Sequence, residues 1–135
     1  MLIDIRPDSD VPIYLQIREQ IVAGIASGQI RPGDPLPSVR QMARDLGVNM
    51  HTVNKAYIYL QTDGYVRVLG RRGVVAADAP APGAETIRET EIEFRRILTE
   101  AKARGLTREA VTELFEKQLR AVDDAVRENA DKGGF

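Results

Sequence analysis

The chain has no cysteine and a single histidine, His51, among its 135 residues. Without thiols there can be no disulfide and no thiolate metal site, which fits a cytoplasmic protein. One imidazole also argues against a local zinc or iron centre. No apolar run approaches the roughly 20 residues that a membrane-spanning helix needs. No basic-then-apolar leader ends in a small-residue cleavage site. The expectation is a cytoplasmic chain with no membrane partner. Catalytic groupings are missing as well. No serine, cysteine or carboxylate is spaced to make His51 a general base, and no paired carboxylates stand out. Gly70-Arg71-Arg72-Gly73 has too few glycines and the wrong context for a nucleotide phosphate loop. The chain reads as a non-enzyme with no cofactor.

Charge is nearly balanced overall, at a formal −1, but unevenly distributed. Residues 1–75 carry nine Lys/Arg against seven Asp/Glu, and 76–135 carry ten against thirteen. Within 31–72 the count is seven basic to three acidic. A local basic patch attracts phosphate whatever the net charge of the whole chain. The length supports one domain, or a small domain with an appended element.

Residues 36–57 carry the most information. Ser38 is suited to cap a helix, and Gln41 three residues on completes a Ser-x-x-Gln capping box. Val39, Met42, Ala43 and Leu46 form its apolar side. Gly47 permits a left-handed turn, and Asn49 can cap the helix that follows. In that second helix Val53, Ala56, Tyr57 and Leu60 make the inward face. Helix, tight turn and helix with polar groups left outward is the layout of a helix-turn-helix, whose second helix enters the DNA major groove.

The flanking segments fit that frame. Leu2 to Asp8 alternate in the manner of an extended arm. Pro12 suits a helix start, and Ile13, Ile17, Ile21 and Ile25 mark one apolar face. Gly28 ends that helix, and 30–34 form a compact turn. Residues 65–68 and 73–75 predict two short strands joined by a tip at 69–72, a small β-wing. Residues 76–84 are a linker by composition. Two helices follow, about 85–104 and from Thr107 onward. Gly105 separates them, Thr107 is the cap, and Leu106 is placed to staple onto Val111. The tail 131–135 is expected to fray. The fold class is therefore mainly α with a small β-wing: a winged helix-turn-helix domain with its arm (1–75), a linker (76–84) and a two-helix tail (85–130).

Candidate DNA-binding residues follow from the exposed face. Met50, His51, Thr52, Asn54 and Lys55 remain outward on the second helix. Hydroxyl and amide groups meet base edges, and a thioether packs on thymine. Lys55 can serve a base or a phosphate, while Asn49 at the helix start suits a phosphate. Arg40 and Arg44 lie four apart on the preceding helix, Ser38 stands at its start, and Arg31 lies just before it. Arginine suits planar recognition of phosphate, although Asp45 and helix solubility also account for Arg44. Arg71 and Arg72 at the wing tip can enter a minor groove or rest on phosphate. A soluble hairpin tip would carry the same residues.

Pro12-Ile13-Tyr14-Leu15-Gln16-Ile17, the run from Gly28 to Arg40, Gly47-Val48-Asn49, Thr52-Val53-Asn54-Lys55-Ala56-Tyr57, Leu60 and Gly64-Tyr65 together resemble a GntR-family winged helix-turn-helix transcriptional regulator. The Asn-x-x-Thr-Val-x-Lys-Ala-Tyr form and the short helical remainder are similar to its YtrA-like subgroup. The resemblance implies a DNA contact at Arg40 and a DNA surface at Met50, Thr52 and Asn54. Many relatives carry arginine at the first and last of those three positions, so a different operator is implied here. The family wing commonly reads Gly-x-Gly-Thr-Phe. Here Gly70-Arg71-Arg72-Gly73-Val74-Val75 changes the spacing and adds charge.

The tail is too short for the metabolite- or metal-binding domain of larger relatives and resembles a dimerisation tail. Its apolar positions are Ile87, Phe94, Ile97, Leu98, Val111, Leu114, Phe115, Leu119, Val122 and Val126. Two short helices cannot bury such faces on each other alone, and a second subunit is the simplest cover. A fold-back onto the chain's own domain is the rival account. The reading is a homodimeric repressor on a two-fold operator in double-stranded DNA. An unidentified small-molecule effector is left open. A non-specific architectural DNA protein and a protein-interaction module are the competing classes.

Overall fold

Alternation at the start of the chain is converted into packing by two glutamines. In the computed structural model, which describes residues 3–78 and 83–129, helix α1 spans Ile13–Ala26. Its Gln20 side chain accepts from Asp4 N–H and donates to Asp4 C=O, both at 2.8 Å. Gln16 does the same for Arg6, at 2.8 and 3.0 Å, and also donates to Val11 C=O. Each carboxamide thus pairs with one residue's backbone as a neighbouring strand would. Ile3 and Ile5, on the alternate positions, pack against the core.

The rest of the first unit is built around that helix. Pro12 is its N-cap, and Ile17 and Ile21 are completely buried. A two-residue strand β1 (Pro35–Leu36) precedes α2 (Val39–Leu46) and α3 (Met50–Thr62). Strands β2 (Val66–Val68) and β3 (Val74–Ala76) flank a single 3₁₀ turn at Gly70–Arg72. The sheet is antiparallel with order β1-β3-β2, pairing Leu36 with Val74 and Arg67 with Val75. β1 has no counterpart in the sequence reading. Two residues carry no periodicity, and proline is tolerated there because β1 is an edge strand. Gly33 N–H to Ala76 C=O and Ala76 N–H to Asp34 C=O, at 2.8 and 2.9 Å, extend the ladder into the turn before it.

One core joins these elements: Ile17, Ile21, Ile30, Met42, Val53, Leu60, Val66 and Ala76 are all buried. Burying one such large aliphatic side chain contributes on the order of 1.5–3 kcal/mol. The wing is therefore held from beneath by its inner face, not only by its ladder. No buried side-chain polar atom among the described residues lacks a hydrogen-bond partner.

The second unit holds α4 (Ala84–Ala103) and α5 (Arg108–Asn129) as far as Asp124, whereas the last turn of α5, from Ala125, groups with the first unit. Gly105 at φ +89° turns the chain between them. Thr107 accepts from Ala110 N–H at 3.2 Å, the expected cap. The two helices touch where Phe94 meets Phe115 edge-to-face, 6.1 Å between centroids. An apolar cleft of about 580 Å³ lies there, lined by both helices, with Leu106 and Val111 on its wall.

Several boundaries differ from expectation. Ala76 belongs to β3 and Ala84 opens α4, so the linker assignment narrows at both ends. Its centre, 79–82, and the tail 131–135 lie outside the described residues. The capping box at Ser38 is half made. Gln41 N–H donates to Ser38 at 3.1 Å, but the Gln41 side chain turns forward to Asp45 at 2.7 Å. The Gln41 amide N–H gains a charged acceptor one turn on, and the side chain forgoes accepting, through its oxygen, from the Ser38 backbone N–H.

Candidate nucleic-acid interface

The geometry of α2 and α3 is fixed by a glycine, a cap and a buried phenol. Gly47 sits at φ +67°, ψ 35°, the left-handed conformation that a side chain would strain. Asn49 then accepts from His51 N–H at 2.7 Å and starts α3. Inside the turn, the Tyr57 hydroxyl donates to Pro37 C=O at 2.6 Å and lies 3.7 Å from the Met42 sulfur. Burial pushes this phenol above its ordinary range, so it stays protonated and remains a donor. The bond ties α3 to the residue just before the α2 cap. Tyr57→Phe should cost roughly 1–3 kcal/mol of unfolding free energy by leaving that carbonyl without its partner. The denaturant midpoint measures it, and an unchanged midpoint would show that the bond contributes nothing.

The inward face of α3 is as expected: Val53, Ala56, Tyr57 and Leu60 are buried. At about 100° per residue, His51, Lys55 and Ile58 project most directly away from that face. Asn54 and Met50 lie on one flank, Thr52 and Tyr59 on the other. His51, Asn54 and Lys55 are exposed, Met50 is 39 % exposed and Thr52 half-buried. The candidates are thus spread round one outward surface instead of forming one line. Ile58, 53 % exposed at mid-helix, was missed by the sequence reading. Its signal was an apolar residue out of phase with the buried set.

The basic residues lie on α3 itself and on other elements of the same unit. Arg40 and Arg44 are exposed on α2, Arg31 in the turn before β1, Arg67 on β2, and Arg71 and Arg72 in the 3₁₀ turn of the wing. That turn closes with Arg72 N–H to Leu69 C=O and Leu69 N–H to Gly73 C=O, at 3.1 and 2.8 Å. Gly73, at φ +86° and ψ −150°, holds a conformation open only to glycine. The changed glycine spacing therefore still gives a defined tip.

Electrostatically, the three carboxylates of this region are occupied elsewhere. Asp34 accepts from Arg31 N–H, Asp45 from Gln41, and Asp63 from Arg18, at 2.8, 2.7 and 2.8 Å. Among the described residues, none of Arg31, Arg40, Arg44, Lys55, Arg67, Arg71 or Arg72 forms an ion pair. Arg44 forms no ion pair with Asp45, because neighbouring residues on a helix point in different directions, and that carboxylate accepts from Gln41 instead. Seven cations therefore keep their charge for an anionic partner. Ser38 and Asn49 spend their side-chain oxygens on the α2 and α3 caps. Their hydroxyl and amide hydrogens remain as donors.

Among the described residues no group of three or more His, Asp and Glu side chains is placed to hold a metal ion. No described helix is long and apolar enough to cross a membrane. In the tail, Phe94, Ile97, Leu98, Leu114, Phe115, Leu119 and Val122 are each about half exposed. Ile87 and Val126 are exposed too, and Val111 is partly covered.

Comparison with known proteins bears on the same elements. The family model described as "Bacterial regulatory proteins, gntR family" matches residues 13–75. The chain is 40% identical over 77 residues to the HTH-type transcriptional repressor YtrA of Bacillus subtilis, covering 57% of this chain and 59% of that protein's length. It is 34% identical over 110 residues to the uncharacterized HTH-type transcriptional regulator YhcF of the same organism, covering 78% of this chain and 88% of that protein. Among solved structures, YtrA from Sulfolobus acidocaldarius, a GntR-family transcription factor, aligns at a TM-score of 0.58 and 37% identity. That alignment covers 90% of this chain and 99% of the other.

Proposed function

Because the chain belongs to the GntR family of bacterial regulatory proteins, we propose that it is a transcription regulator that binds a specific DNA sequence as a homodimer. The α3 helix enters the major groove, with His51, Thr52 and Asn54 at base edges and Met50 against a thymine methyl. Asn49, Ser38, Arg31, Arg40 and Arg44 hold the backbone on either side, and Arg71 and Arg72 on the wing reach the adjacent groove or its phosphates. The observation that carries this reading is that seven cations on α3, α2, the turn before β1 and the wing form no ion pair with any described residue. A solvated helix needs no such clearing of carboxylates.

The tail supplies the second half of the reading. Two amphipathic helices that leave half of each large apolar side chain in water call for a partner surface. A second copy is the partner that gives two-fold symmetry, with α3 helices one DNA turn or more apart. Similarity to a repressor and to a YtrA protein supports the YtrA-like subgroup and repression by promoter occlusion.

Selection from randomised duplexes at controlled salt tests the whole reading. Recovery of a motif with two-fold symmetry supports it. Enrichment of all duplexes alike favours an architectural DNA protein, and failure to retain DNA would sink both. Arg71→Ala should weaken binding evenly across sequences. It should also lower the slope of log affinity against log salt by about 0.9 for the lost phosphate contact. A change confined to one base position would assign Arg71 to base readout instead.

A further inference from the structure

Two cations along the seam of α1 and α3 are held in different ways. Arg18 donates to the Asp63 carboxylate at 2.8 Å and stands 5.7 Å from the Tyr65 ring centroid, so its charge is cancelled where it sits. Lys55 forms no ion pair with any described residue. Its ammonium lies 4.1 Å from the centroid of the Tyr14 ring. Tyr14 in turn stacks on Tyr59, one helical turn beyond Lys55, with centroids 5.4 Å apart and planes 24° from parallel. The ring that holds the lysine is thus itself held by a second ring.

The distinction has a physical consequence. A carboxylate restrains a lysine by neutralising it, and a neutralised lysine is of little use to a phosphate. An aromatic face attracts the ammonium through its quadrupole and carries no net charge. It restricts a flexible four-carbon stem while leaving the full positive charge in place. A free lysine surrenders much of its rotamer freedom when it docks, and one already parked on a ring surrenders less. Direction matters as well. Tyr14 belongs to α1, so the ammonium is drawn off the outward line of α3 toward its α1 edge. The edge of a helix inserted in a groove meets the sugar-phosphate backbone, not the base edges.

We propose that Tyr14 is a positioning residue for Lys55, holding its ammonium at the α1 edge of the recognition helix as a preformed phosphate contact. This rests on the DNA-binding reading above and assigns Lys55 to the backbone, where its sequence position allowed base or phosphate.

The test uses the full chain and a random-sequence DNA duplex in a salt titration. Tyr14→Leu should weaken binding about two- to fivefold, and Tyr14→Phe, which keeps the ring, should bind as wild type. Lys55→Met should lower the salt slope by about 0.9, and adding Tyr14→Leu to it should cost nothing further. Equal losses from Tyr14→Leu with and without Lys55 would overturn the proposal, since Tyr14 would then act on the fold alone. If Tyr14→Leu does not fold, proton NMR of the wild type and Tyr14→Phe decides. Upfield ring-current shifts of the Lys55 side-chain protons are expected, and their absence refutes the contact. Wild-type protein that retains no duplex even at low salt would instead remove the DNA reading itself, and the proposal with it.

Discussion

Changing Leu98 and Phe115 together to glutamate should turn a dimer into a monomer and weaken binding to a two-fold operator by about 10²–10⁴-fold. Leu98 is 49% and Phe115 50% exposed in the single chain, so neither sits in a buried core, although Phe115→Glu also removes the edge contact with Phe94 within the tail. In a dimer the same positions would be covered, and two carboxylates would have to leave water for an apolar surface. The loss in DNA binding follows from linkage. In a dimer the second half-site is engaged at a high effective concentration once the first is bound, and a monomer forfeits that advantage without losing any contact of its own. Sedimentation and operator titration measure the two effects separately. The winged domain should keep its thermal transition, because its core residues are all elsewhere. A wild-type chain that sediments as a monomer, with unchanged operator affinity in the double variant, would return the tail to a fold-back role.

Asn54→Ala and Thr52→Ala should each remove about 1–3 kcal/mol of discrimination at one base position, which is roughly 5- to 150-fold in relative affinity. Asn54 is exposed and Thr52 half-buried on opposite flanks of the outward face, so the two should relax different base pairs of a half-site. Their salt slopes should stay at the wild-type value, because neither carries charge. That contrast separates them from Arg71 and Lys55. Equal loss across all sequences from both variants would mean that they support the helix without reading DNA.

The sequence made some of these features legible and concealed others. Caps and turns at Ser38, Gly47, Asn49 and Thr107 were readable because each is decided within four residues of chain. The isoleucine repeat of α1 and the apolar stripes of α4 and α5 were readable for the same reason, since helical period is a local property. Gln41 shows the limit of such signals. The capping-box pattern was present, yet Asp45 on the next turn captured the side chain.

Chain order was enough to place the helix ends, the faces that seek cover and the concentration of basic residues. Which charges remain available depended on how distant segments pack. Asp63 meets Arg18 across 45 positions of chain, and Tyr57 meets Pro37 across 20. β1 exists because Val74 and Val75 return to it, and Lys55 rests on a ring that belongs to another helix. Helical period and capping act between near neighbours on one turn and can be read in order. Hydrogen bonds, ion pairs and ring contacts need only a few ångströms in space, and packing of the core alone sets which distant residues come that close.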